Sequence, residues 1–467
     1  MTHVSWGERN TPRIFSETLP NLNKLLLYVE LPSIVSSKKA SYTIRKKIDK
    51  ICFGIKLDGE EFISWSEFIL LPKQVDISST LMTQMQEDPN YLRLSINVLE
   101  INNSSSLNSI SDFQHIKAKN KDIMSLLMDE GFFKSKLDPY SLSQLNLIQC
   151  KKCKFDLTKL FDNWKVNEMP AEYWQEMVEF WICHPEGDKL SVNVSQMDLF
   201  KNFKTLEKTS TNPTKEESQG NLNSNANTNS NSSFETMSAS KTAVLKIASN
   251  YIVIDYSSFI SESVTSRPNS DLIFCSNCDS SIGESKSNIS SDTFRSELEF
   301  GETVKIAKLW TQKLVFNLKS SLTDSSLHNN ANISENLGLV LIREILTRIS
   351  AHAAYHYIIQ EIETKRPVLL IWVVGWGINA YNNYSDPSIL YGSENGLKVL
   401  THRLNTEDSK SQEVLKNWKT KFDAEYIFFD NQDCSNLLQH IQDNNKSLPP
   451  PLLKMNDMEA SYIFPEL

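Results

Sequence analysis

The chain has no long hydrophobic run. Its longest apolar stretch, Val368 to Ile378, falls well short of the about 20 residues a membrane-spanning helix needs, and the opening MTHVSWGERNTPR has no apolar core of signal-peptide length. A soluble, intracellular protein with no membrane partner is expected. Runs of Lys/Arg interleaved with aromatic residues are also missing, and the formal net charge is −9, so direct nucleic-acid binding has little electrostatic support. The most basic stretch, KKASYTIRKKIDK (38–50), alternates like an exposed strand or loop.

Other signatures are lacking too. The seven cysteines are an odd number gathered partly in close pairs, which fits reduced thiols and metal better than a disulfide framework. VVGWGIN (373–379) lacks the further glycine and the Lys-Ser/Thr of a phosphate loop. His352 and His356 are four apart, but no Glu follows His352, so they read as ordinary residues of a helix.

What is present is a set of cysteines in metal-binding company. Cys150 and Cys153 in QCKKCKF and Cys275 and Cys278 in FCSNCDS are two Cys-x-x-Cys pairs. Two such pairs supply the four thiolates that tetrahedral Zn²⁺ prefers. A structural Zn²⁺ at Cys150, Cys153, Cys275 and Cys278 would clip distant parts of the chain together and close a long loop. A redox pair and two unrelated buried pairs are the rival readings; KFDLTKLFDNW, after Cys153, could form the helix that a redox motif requires.

At 467 residues, 40% hydrophobic and 10% aromatic, the chain can bury more than one core. The fold class expected is α+β: a β-rich N-terminal half, as an antiparallel sandwich or open barrel, and an α+β C-terminal half, stapled by the zinc site. LNKLLLYVELP (22–32), ICFGIKL (51–57), EFISWSEFILL (61–71) and YLRLSINVLEI (91–101) read as strands of a β-rich domain over 15–149. A block over 150–204 holds the first Cys pair and an amphipathic helix in MPAEYWQEMVEFWICH, with Trp174 and Trp181 on its apolar face and Cys183 and His184 at its end. Residues 205–240 are Asn/Ser-rich and read as a disordered insertion.

The remainder, 241–467, reads as α+β. AVLKIASNYIVIDY (243–256) gives two short strands or one bent one, and LGLVLIREILTRISAHAAYHYIIQEIE (337–363) a long helix. PVLLIWVVGWGI (367–378) and EYIFFD (425–430) read as strands, and CSNLLQHIQD (434–443) as a closing helix. Trp174, Trp181 and Trp310 are most simply core.

PAEYWQEMVEFWICHPEG (170–187) between two Cys-x-x-Cys pairs, then ETVKIAKLWTQKLVF (302–316) and GLKVL (396–400), resemble the HECT-like family described as binding ubiquitin-conjugating enzymes. Members are described as a ubiquitin-protein ligase in animals and as an essential factor for pre-mRNA 3′-end processing in yeast. The resemblance implies a zinc-containing protein of cytoplasm and nucleus, with a ubiquitin-conjugating enzyme and ubiquitin as partners, the segment around 302–316 as the candidate contact for the enzyme, and cyclin-type proteins as further candidate substrates. The alternative it implies is a non-catalytic zinc-stapled adaptor that holds a 3′-end processing endonuclease through 170–187.

Ligase chemistry of the HECT type requires a cysteine that accepts ubiquitin as a thioester. Cys434 is the candidate by its placement near the C-terminus and by Cys434-x-Asn436-x-Leu438, although FFDNQD stands where Leu-Pro-x-Ala-x-Thr is expected. Asp430 and Asp433 disfavour a thiolate there, and the other reading is a half-buried cysteine capping the last helix, with His440 a surface residue. Cys183 and His184 either add to the zinc site, face a partner, or are inert.

Overall fold

A computed structural model describes residues 11–98, 137–169, 242–287, 305–319 and 332–467, apart from 20–21, 32–39, 48–49, 60, 62–63, 73–74, 85–89, 269, 384–389 and 406. The first segment is all strand: β1 (Ile14–Leu19), β2 (Lys24–Glu30), β3 (Ala40–Lys47), β4 (Lys50–Leu57), β5 (Ser64–Trp65), β6 (Ile69–Leu70), β7 (Val75–Gln84) and β8 (Tyr91–Val98). Successive side chains of a strand point to opposite faces, and β2 is apolar on both. Leu25, Leu27 and Val29 join Ile51, Phe53 and Ile55 of β4 in one core, so the sheet β3–β6 lies over this face as half of a sandwich. Leu26 and Tyr28 pack on the other face with Phe15 and Tyr462.

The middle body contains α1 (Pro139–Ser143), β9 (Leu145–Cys150), β10 (Asn163–Glu168), β11 (Thr242–Ile247), β12 (Tyr251–Asp255), β13 (Val264–Ser266), β14 (Leu272–Cys275), β15 (Ser281–Ser287), β16 (Lys305–Trp310), β17 (Leu314–Leu318) and β18 (Asn332–Ile333). A seven-stranded sheet, β10-β11-β12-β16-β15-β14-β13, and a three-stranded one, β18-β17-β9, share one apolar core. A single 3-10 turn, Thr311–Lys313, carries the chain from one sheet to the other. Leu147 to Cys150 and Leu314 to Asn317 then pair antiparallel. The helix considered after Cys153 does not form: the chain runs irregularly to β10.

The last segment adds α2 (Leu337–His352), β19 (His356–Glu361), β20 (Pro367–Asn382), β21 (Tyr391–Arg403), α3 (Ser409–Lys421), β22 (Glu425–Phe429), α4 (Asn431–Lys446), β23 (Lys454–Met455) and β24 (Met458–Ile463). These strands do not form a sheet of their own. β20 pairs with β21 along one edge, and with β19 and then β1 along the other, giving a ten-stranded sheet that runs from β23 to β7. Buried Glu17 of β1 fixes the junction, taking the hydroxyl of Tyr462 at 2.6 Å and Nζ of Lys398 at 2.7 Å. In sheet terms strands of the first and last described segments therefore belong together, across the divisions expected at 149/150 and 240/241.

The long helix expected over 337–363 stops at His352. Ala353 adopts a left-handed conformation (φ 54°), its amide closing on the Ile349 carbonyl at 2.9 Å, and the next residues turn back as β19. This strand is inserted between β20 and β22, with Tyr357, Ile358 and Ile359 fully buried. A strand covered on both faces reads as a continuous apolar run and cannot be told from a buried helix by periodicity. No helix among the described residues is long and apolar enough to cross a membrane.

Candidate functional site

The two Cys-x-x-Cys pairs adopt the same local structure. In the first, the Cys150 amide donates to the Phe155 carbonyl at 2.9 Å and the Lys154 amide donates to the Cys150 carbonyl at 2.8 Å. In the second, Cys275 and Ser280 pair at 2.9 Å, and the Asp279 amide donates to the Cys275 carbonyl at 2.9 Å. Both turns reverse through a left-handed residue just after the second cysteine, Lys154 (φ 61°) and Asp279 (φ 53°). Each turn also aims amides at its first sulfur, those of Lys152 and Cys153 at Cys150, and those of Asn277 and Cys278 at Cys275.

The core of the middle body brings these turns together. Cys150 Sγ lies 3.7 Å from Cys278 Sγ, Cys153 Sγ lies 3.6 Å from Cys275 Sγ, and all four sulfurs fall within 4.8 Å of one another. A tetrahedron with Zn–S bonds of about 2.3 Å has edges of about 3.8 Å, so the four sulfurs fit a metal ion, compatible with Zn²⁺. Burial pushes the Cys150 thiol up to about 12 and the Cys275 thiol up as well. A coordinated cation overrides that penalty by deprotonating its thiol ligands.

The metal turns lead directly to a second, polar cluster. Lys151 donates its amide to the Lys313 carbonyl at 2.8 Å and its Nζ to the Glu335 carbonyl at 2.6 Å, just before α2. Lys313 reaches the start of α4, with Nζ at 2.9 Å from Asp430 and 2.6 Å from Asp433. Ser281, three residues beyond Cys278, donates its hydroxyl to Asp430, and Gln312 donates to Asp433 at 3.3 Å. Asp430 also caps α4 by accepting the Asp433 amide at 2.7 Å. Beside this network lies a cleft of about 230 Å³, lined by Tyr251, Trp310, Gln312, Phe428, Asp430 and Asp433. Trp310, expected in the core, is partly exposed and lines this cleft.

Cys434 sits in the first turn of α4, 1% exposed, among Leu437, Ile427 and Phe429. Its Sγ faces the Phe429 carbonyl at 3.8 Å. Burial first, then the charges of Glu361, Asp430 and Asp433, push the thiol up to about 12. His440, expected on the surface, is half-buried two turns on; its Nε2 pairs with Asn444 at 2.9 Å, and burial lowers its pKa.

The segment 302–316 is largely internal where described: Ile306, Ala307, Leu309 and Thr311 to Phe316 are buried. An exposed apolar surface lies elsewhere, where α3 meets β19 and β22. His356 stacks on Phe422 (4.7 Å between centroids) and on Trp372 (5.2 Å), and meets Trp418 edge-on. Tyr426 and Phe428 stack beside them at 6.0 Å, flanked by Lys419 and Lys365. Phe422 and Phe428 remain 50% and 48% exposed. This ridge has no local signature, because its rings come from separate elements. Trp174, Trp181, Cys183, His184 and the insertion expected over 205–240 lie outside the described residues.

Comparison with curated proteins and comparison with solved structures each found no match. The family model described as HECT-like ubiquitin-conjugating enzyme (E2)-binding matches residues 17–460. That match runs from the buried Glu17 to the last strand and takes in both cysteine turns and the Cys434 helix, and the chain belongs to this family.

Proposed function

We propose that this protein binds a ubiquitin-conjugating enzyme on the aromatic ridge around Phe422 and Phe428 and promotes ubiquitin transfer from it without forming a thioester on Cys434. The burial of Cys434 carries the reading. An acceptor thiol must meet the donor thioester and must ionise, whereas Cys434 is enclosed by the core and held up at about 12. Binding follows from the family, and exposed aromatic residues rimmed by lysines make a surface suited to a protein partner. The four cysteines hold Zn²⁺ as a structural ion. When bound it supplies cross-linking of the middle body.

The test is a non-reducing gel assay with a panel of charged conjugating enzymes, run on the wild type, Cys434→Ala, and the double variant Phe422→Ser with Phe428→Ser. Transfer should survive in Cys434→Ala, and both binding and transfer should fall in the ridge variant. A reductant-sensitive ubiquitin adduct that disappears in Cys434→Ala would overturn the proposal.

A further inference from the structure

The strand β22 keeps one hydrogen-bonding edge open. In a parallel ladder the main-chain groups of successive residues point alternately to one side of the strand and to the other. β22 runs parallel to β19, and the Ile362 amide donates to the Phe429 carbonyl at 2.9 Å, so Glu425, Ile427 and Phe429 face β19. Tyr426 and Phe428 then turn their amides and carbonyls outward. Arg348 of α2 meets the strand on that outer side, donating Nη1 to the Tyr426 carbonyl at 3.1 Å. No described residue hydrogen-bonds the amide or carbonyl of Phe428. Ile427, Phe428 and Phe429 line the cleft of about 230 Å³, so this edge opens on it. A drug-sized site has about 300–1,000 Å³; the smaller cleft suits a short stretch of chain.

Charge decides which chain. Lys365 lies over the Phe428 ring at 5.6 Å and Lys419 over the Tyr426 ring at 5.5 Å. Both lysines are exposed, and neither has a carboxylate partner among the described residues. The acids that line the cleft are already matched: Glu344 by Arg348, Asp430 and Asp433 by Lys313, and Glu284 stands opposite Lys308 in the β15–β16 register. The charge left over beside the open edge is positive. We propose that a partner adds an extended segment to β22, one of its residues exchanging both main-chain hydrogen bonds with Phe428, and that acidic side chains alternate with apolar ones along it. The acidic side chains share the face of Phe428 and meet Lys365 and Lys419; the apolar ones share the face of Ile427 and Phe429. Main-chain pairing supplies affinity and the alternating side chains supply selectivity. The inference rests on the ridge being the partner surface and names the form in which the partner comes.

The probe is a fluorescein-labelled peptide, Gly-Asp-Val-Asp-Val-Asp-Gly, titrated into the full-length protein and read by anisotropy beside a counterpart with lysine in place of aspartate. The acidic peptide is expected to bind about tenfold tighter than the basic one, and the order should reverse in the double variant Lys365→Glu with Lys419→Glu. N-methylation of the aspartate amides, which removes the donors to Phe428, should weaken binding about tenfold, whereas N-methylation of the valine amides should leave it unchanged. Strand addition is refuted if neither peptide binds, if both bind equally, or if methylation of either set has the same effect. A dimer of the free chain that the acidic peptide dissolves, seen in sedimentation, would give the edge to a second copy and overturn it as well. Binding of the charged conjugating enzymes is measured in parallel on the wild type and on Phe422→Ser with Phe428→Ser. Enzyme binding that falls in this variant while the peptides fail keeps the ridge and removes strand addition. Enzyme binding unchanged in the variant removes the ridge reading and leaves the peptide result to stand alone.

Discussion

Nζ of Lys313 lies 2.6 Å from Oδ1 of Asp433, with both side chains less than a tenth exposed. One cation from the middle body thereby serves two carboxylates at the start of the helix that carries Cys434. Removing one partner from such a site leaves buried charge without compensation. Lys313→Met should lower stability by about 3–5 kcal/mol, seen as a shifted urea midpoint. An unchanged midpoint would mean that the cluster is solvated.

Metal content offers a second check. Cys150→Ser and Cys275→Ser should each abolish the bound ion and lower the thermal midpoint, while Cys52→Ser and Cys434→Ser should keep it, as elemental analysis of the purified variants would show. Retention of the ion in Cys275→Ser would dissociate the second turn from the site.

Stability should fall on mild acidification. Burial lowers the pKa of both His356 and His440, so between those lowered values and the unfolded value of about 6.5 the unfolded chain binds more protons than the native one. This stability is complete above about pH 6.5 and is lost as pH drops through that window. His356→Phe, which suits stacking against Trp372 and Phe422, should flatten the fall in unfolding midpoint between about pH 7 and pH 5. A slope identical to wild type would contradict the assignment.

Gly338 sits where the C-terminus crosses α2. A Cβ there would stand 1.9 Å from the Phe464 carbonyl oxygen, so Gly338→Ala must push the tail away and should cost about 1–3 kcal/mol. Thermal unfolding measures this directly, and a neutral outcome would show that the tail is loosely held.

The features legible in the sequence are the local ones. Each cysteine turn is a short unit with its own hydrogen bonds, so Cys150/Cys153 and Cys275/Cys278 declare themselves as pairs. The two strands around Ala248 to Asn250, the long apolar β20 and the short β22 and α4 are likewise set by nearby residues. Reading the helix through to residue 363 failed because β19 is buried on both faces and Ala353 ends the helix without a glycine. The Lys313 cluster and the aromatic ridge were illegible for a different reason. Lys313 is 120 positions from Asp433, and no periodicity links residues brought together only by the packing of separate elements.

The pairing of β1 with β20 has a consequence for biosynthesis. The N-terminal strands leave the ribosome long before Tyr381 and Ala380 exist to cover their edge. At about 5–20 residues per second that edge stays open for some tens of seconds, longer than strand pairing takes. Nascent chains of this protein therefore spend that interval with a bare template for self-association, and the large sheet is completed only after Tyr462 has emerged to meet Glu17.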